Sequence, residues 1–240
     1  MKTCYILLCS VFASIVLANE KCPCRSHQEL QILWSHQQQL RQGILRQRKM
    51  YPKSSAARIA RAAGKKGMLH LLREHNLDKA IIELNKSWRF NPDEYLAYWG
   101  AGIICGNYML LSDDKKHKIQ HAIDSIELLR RALGLIPVSH EDYVDIVNDL
   151  AVSMASLGEM YVINPNCAEK GGKILDEADS IITEAIKKNP QKGRLWLTKA
   201  IIMFYKNNFL EADIALKEVE SRGHHNSDLR HNINMHLKSY

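Results

Sequence analysis

The sequence predicts an all-α chain: antiparallel helix pairs stacked side by side and closed by a C-terminal capping helix. Three observations carry that reading. The 240 residues include only 12 Gly and 6 Pro, the Pro spread singly, which is too few turn-formers for a sandwich or barrel. Val, Ile and Thr fall singly on stripes of helical period and never alternate over a strand length. The third observation is an internal repeat around Pro92 and Pro190. An aromatic follows each after six residues (Tyr98, Trp196), a small residue after ten (Gly102, Ala200) and a medium apolar residue after thirteen (Cys105, Met203). Apolar residues at 46% and charged residues at 25% exclude wholesale disorder.

Taken in order, the chain opens with Lys2 and a charge-free run, Tyr5 to Leu17, ending in Val16-Leu17-Ala18. That is the layout of a secretory signal peptide over 1–18, with the mature chain starting at Asn19. The run is too short to span a bilayer comfortably, and no second stretch approaches about 20 apolar residues. The expectation is an exported protein, periplasmic or secreted, and not an integral membrane protein. A basic N-terminal segment, 19–53, follows. In it Ser26-His27-Gln28-Glu29 forms a capping box ahead of the stripe Leu30, Leu33, Trp34, Leu40 and Ile44. That helix runs to about Lys49, where Tyr51-Pro52 stops it.

The helical domain, 54–224, begins with a helix from Ser54 or Ser55 to about His75, weakened in its middle by Gly64 and Gly67. Leu77–Phe90 is next. Asn91-Pro92-Asp93-Glu94 reads as a start signal, with Asn as cap and Pro at the first helical position. Further helices are expected near Asp93–Leu111, Asp114–Leu135, His140–Tyr161, Lys173–Lys188, Gln191–Lys206 and Phe209–Arg222. A capping helix near Ser227–Ser239 fills 225–240, with Leu229, Ile233 and Leu237 on its inner stripe.

The repeat extends backwards from each proline. Before Pro92 stand Ala80, Leu84 and Ser87; before Pro137, Ser125, Leu129 and Ala132; before Pro190, Ala178, Ile182 and Ala185. Antiparallel helices approach closely only where small residues meet, so Gly102, Ala200 and Ala212 mark close crossings and Trp196 fills the wedge at a turn. At these residues the chain resembles the tetratricopeptide repeat family, a helix-turn-helix unit of about 34 residues. Gly193 to His224 is the fullest match, with Trp196, Ala200, Met203, Asn208, Ala212 and Leu216 in register. Met68, Leu71, Asn76, Ala80, Leu84 and Pro92 make a second unit. The two middle units are too long: Pro92 to Pro137 spans 45 residues and Pro137 to Pro190 spans 53. Longer helices and loops around Ser112–Asp114 and Asn164–Gly172 are expected to absorb the surplus.

The resemblance implies a right-handed superhelix that binds a protein or peptide along the concave face formed by the first helix of each pair. By register that face takes Lys65, Leu69 and Leu72 from the first unit and Trp99, Ile103 and Asn107 from the second. The last unit adds Arg194, Leu197, Ile201, Phe204 and Tyr205. Apolar residues replace the Lys and Asn that the carboxylate-binding members of the family use. The expected partner is therefore a helical or apolar segment rather than a chain end.

Net charge is +7. Lys21 to His75 holds 12 basic and 2 acidic residues, whereas Asn76 to Tyr240 holds 20 basic and 23 acidic. A basic block of that kind can attach to an anionic membrane surface or an acidic protein, and export points away from nucleic acid. Self-assembly through the N-terminal helix is the structural alternative to a binding scaffold. Beyond the signal, Cys22, Cys24, Cys105 and Cys167 allow three disulfide connectivities. Cys105 falls on a core stripe and reads as a buried thiol.

No catalytic constellation is legible. His117 and His121 have ligand spacing but no third ligand, no nucleophile elbow or phosphate loop is present, and Gly171-Gly172 reads as a loop hinge. The expectation is a non-enzymatic protein without cofactor or metal.

Overall fold

The computed structural model describes residues 53–238. The signal segment, the capping-box helix over 26–49, Cys22 and Cys24 lie outside the described residues. Within them the fold is all-α, with helices α1 Lys53–Leu72, α2 Leu77–Phe90, α3 Tyr95–Leu111, α4 Lys115–Leu133, α5 Tyr143–Val162, α6 Ala168–Lys188, α7 Gly193–Tyr205, α8 Phe209–Ser221 and α9 Ser227–Leu237. They pack as consecutive pairs, α1 on α2, α3 on α4, α5 on α6 and α7 on α8. The pairs stack, and α9 closes the end against α8. Leu229 and Ile233 of α9 are buried, while the third expected capping residue, Leu237, is exposed.

The second helices α2, α4 and α8 begin on side-chain caps. Asn76 accepts from the Lys79 amide at 3.0 Å, Asp114 from His117 at 2.9 Å and Asn208 from Glu211 at 3.3 Å. Two of those caps follow a residue of positive φ, His75 or Asn207, which turns the chain sharply inside the pair.

First helices start differently, and here the sequence expectation is corrected. Pro92 and Pro190 are not first helical residues: α3 begins at Tyr95 and α7 at Gly193. Each proline sits in the turn between pairs and offers its carbonyl to the repeat aromatic. The Tyr98 hydroxyl donates to Pro92 O at 2.9 Å and Trp196 Nε1 donates to Pro190 O at 2.8 Å. A guanidinium lies against each ring, Arg131 on Tyr98 at 5.8 Å and Arg222 on Trp196 at 5.4 Å. The six-residue spacing is thus the reach of an aromatic folding back over its own turn.

The glycines also need correction. Gly64 and Gly67 do not interrupt α1; they let it approach its neighbours. A Cβ on Gly64 would lie 2.9 Å from Leu96 Cβ, and one on Gly67 would lie 2.8 Å from Leu84. Gly102 meets the small residue Ser125, whose Oγ donates to the Gly102 carbonyl at 2.8 Å, and a Cβ on Gly102 would lie 2.7 Å from Leu129. Gly171 is no loop hinge. It lies inside α6, where a Cβ would meet Val162 N at 2.7 Å and Gly158 O at 2.8 Å. The surplus of the third unit therefore resides in helices of 20 and 21 residues, and only a short 3-10 turn, Pro165–Cys167, separates them. Ser112–Asp114 is likewise a bare three-residue link between α3 and α4.

Ala80, Ala132, Ala178, Ala200 and Ala212 are fully buried at the pair contacts. Cys105 is a buried free thiol and Cys167 a partly buried one; burial pushes the Cys105 thiol far up. His121, one of the two histidines at ligand spacing, is buried beside the Tyr108 ring.

Candidate functional site

The first helices stand in a row, α1 beside α3, α3 beside α5 and α5 beside α7. The inner seams of that row hold a set of polar contacts centred on α5. Asp142, Asp145 and Asp149 lie at i, i+3 and i+7, on one face of the helix. From α3, the Tyr95 hydroxyl donates to Asp142 at 2.5 Å and Trp99 Nε1 donates to Asp149 Oδ2 at 2.7 Å. From α7, the Thr198 hydroxyl donates to Asn148 Oδ1 at 2.9 Å. Arg194 and Lys192 both pair with Asp145, the latter at 3.0 Å. The middle helix thus accepts and its two neighbours donate.

These seams decide which expected groove residues are open. Trp99, Ile103, Asn107, Ile201 and Tyr205 are buried. The expectation that all of them line an open groove is corrected: neighbouring first helices approach closely enough to swallow them. Trp99 is an internal hydrogen-bond donor to α5. Leu197 and Phe204 are half-buried, and Lys65 and Arg194 are exposed. Leu69 and Leu72 are 41% and 43% exposed, an unusual openness for two leucines one turn apart. Lys65, Lys66 and Arg73 surround them, with Lys66 held to Glu83 at 2.6 Å. The packing set Gly102, Ala80, Ala132, Ala178, Trp196, Ala200, Ala212, Pro92 and Pro190 lies at pair contacts and turns, away from this strip.

Electrostatically the acidic row is uneven. Partial desolvation of its head group lowers the Arg194 pKa, and this guanidinium shares Asp145 with Lys192. Burial, reinforced by the bond to Asp142, drives the Tyr95 hydroxyl far up. Asp149 is pushed up to about 6 by burial, against the opposing pull of hydrogen bonds from Trp99 and the Asn148 amide. Its carboxylate is mostly ionised at neutral pH, and no cation among the described residues acts on it. By contrast, Asp179 sits between Lys199 and Lys206, and Asp213 between Lys217 and Arg230, which hold both carboxyls below their ordinary range despite burial.

Sequence reasoning missed the α5 set. The signal was present in the 3-and-4 spacing of Asp142, Asp145 and Asp149 alongside the buried Ile146 and Leu150. Among the described residues no group of three or more His, Cys, Asp and Glu is placed to hold a metal ion. No helix among them is long and apolar enough to cross a membrane.

The architecture defines a class: an all-α solenoid of helix pairs with a row of first helices exposing a mixed apolar and charged strip. No protein-family model matches the chain, and no curated protein matches it. Among solved structures it is similar to one reported for the functional characterization of Pseudomonas aeruginosa PilF, at 13% identity and a TM-score of 0.38. The match covers 75% of this chain and 82% of that one. At that level the likeness carries nothing about role, and the architecture rests on this chain's own helix packing.

Proposed function

We propose that the chain is an exported, non-catalytic scaffold that holds a partner protein in a cell-envelope or extracellular assembly. The observation that carries the reading is the row of first helices. It leaves Leu69 and Leu72 open at one end and Leu197 and Phe204 half-open at the other. Apolar side chains spread along a row of helices suit a segment that lies across several units, as solenoid surfaces do. The charge-free run Tyr5–Leu17 supports export. The test is recovery of cross-linked partners from the native cells by wild-type protein and by a Leu69→Glu/Leu72→Glu double variant. Both leucines are exposed, so the variant should fold and lose the partner. Equal recovery by the two would refute the reading.

A second reading has its own observation. Lys65, Lys66 and Arg73 ring the same two leucines, which suits an anionic membrane surface. Binding of that kind should be released by moderate salt, whereas apolar protein contacts should persist.

A further inference from the structure

Asp149 differs from the other acidic residues in the solenoid seams. Asp145 has two cations, Glu94 has Arg61 at 2.6 Å, and Asp179 and Asp213 have two cations each. Asp149 is half-buried in the seam between α3 and α5 and receives only neutral donors, Trp99 and Asn148. An ionised carboxylate in such a place carries a desolvation cost that neutral hydrogen bonds offset only in part. The residue is only half-buried, in the row of first helices. The indole bond at 2.7 Å fixes its orientation. Val152, one turn further along α5, and Leu197, next to the Thr198 that bonds Asn148, are both half-buried apolar residues on the two helices nearest the seam.

A fixed carboxylate without a counter-ion, in a row that also carries half-buried apolar side chains, matches one kind of side chain, a cation on an aliphatic stem. We propose that Asp149 is the anchor for a lysine or arginine side chain presented by a bound protein segment, with Trp99 as the positioning residue that holds the carboxylate. This rests on the scaffold reading and adds the chemistry of the partner: a segment carrying one basic residue set among apolar ones. The stem lies along Val152 and Leu197, and the head group supplies the counter-ion that the fold omits. A pair formed in this half-enclosed site is less screened than one on the outer surface.

The test selects random 12-residue displayed peptides on the full wild-type chain, on Asp149→Asn and on Glu141→Gln. Glu141 is an exposed carboxylate in the α4–α5 loop and serves as the control. Wild type and Glu141→Gln should enrich peptides with Lys or Arg at one position among apolar residues. Asp149→Asn should keep the apolar preference and lose the basic one. Replacing the selected Arg by citrulline, or the Lys by norleucine, should weaken binding to wild type about tenfold or more and leave Asp149→Asn unaffected. A basic preference unchanged in Asp149→Asn, or absent from wild type, overturns the inference and leaves the scaffold reading standing. A consensus that reproduces the chain's own 41–49 assigns the site to its N-terminal block and overturns the partner assignment. Failure of any peptide to bind overturns both.

Discussion

Replacing Asp149 by Asn should make the protein more stable above neutral pH, by an amount that follows from the surroundings of the carboxyl. Its pKa rises from 3.8 to about 6. A shift of roughly 2 units at about 1.4 kcal/mol each sets a ceiling of about 3 kcal/mol for the cost of holding the ionised form in the fold. The shift is already net of the Trp99 and Asn148 bonds, and the half-buried position of the residue lets solvent screen part of that cost, which takes off about 1 kcal/mol. The net expectation is a gain of about 1–2 kcal/mol at pH 8, or roughly 2–8 °C in Tm for a domain of this size.

The pH dependence fixes the sign. The folded pKa is the higher of the two, so between roughly pH 4 and 6 the native state holds a proton that the unfolded chain has released. Stability from this group therefore falls as pH rises through that window, and the Asp149→Asn substitution removes the slope. Urea denaturation of both proteins at pH 4, 5, 6, 7 and 8 measures it. The difference between them should be largest at pH 8 and shrink towards pH 4. Parallel profiles, or a less stable variant at pH 8, would show that Asp149 is already compensated in the folded chain.

Three further expectations follow from the packing and the turns. Gly171→Ala drives a Cβ into backbone atoms of Val162 and Gly158 and should cost about 1–3 kcal/mol or more, whereas Gly172→Ala meets nothing within 4 Å and should gain about 0.5–1 kcal/mol; thermal melts of the two neighbours compare them directly, and similar Tm values would show that the α5–α6 crossing is looser than described. Tyr98→Phe and Trp196→Phe each remove a bond to a proline carbonyl and should lower stability by about 1 kcal/mol, more for Trp196 because volume is lost too; an unchanged urea midpoint in both would mean that the aromatics act by packing alone. Intact-mass analysis of native protein should find Asn19 as the first residue, and a retained Met1 would remove the export reading.

Much of the fold is legible in the sequence because its signals are local. The Asn and Asp caps at Asn76, Asp114, Asn208 and Asn226 place the starts of α2, α4, α8 and α9 within about a residue. The starts of α3 and α7 are misplaced by sequence reasoning because Asn-Pro resembles a cap followed by a first helical residue. The fact that matters there is a carbonyl accepting from an aromatic six residues on, which is a tertiary contact. The glycines of α1 and α6 mislead for the same reason. Propensity counts Gly as a weakness, whereas a close crossing requires it. Register assigns Trp99, Ile103 and Ile201 to the concave face, but register carries no information on how closely the helices around them approach. That distance buries them. Asp149 escapes notice because a row of Asp on a helix reads as solvent-facing until Trp99 of α3 is seen to donate to it.

A partner protein should meet the inner row of first helices and not the outer surface. Photo-cross-linking side chains placed singly at Leu72, Leu197 and Phe204, and at the exposed outer residues Ile82 and Leu210, test it in the native cells. The account predicts one common protein adduct from the three inner positions and none from the outer two. Adducts from Ile82 and Leu210 with none from the inner three would contradict it.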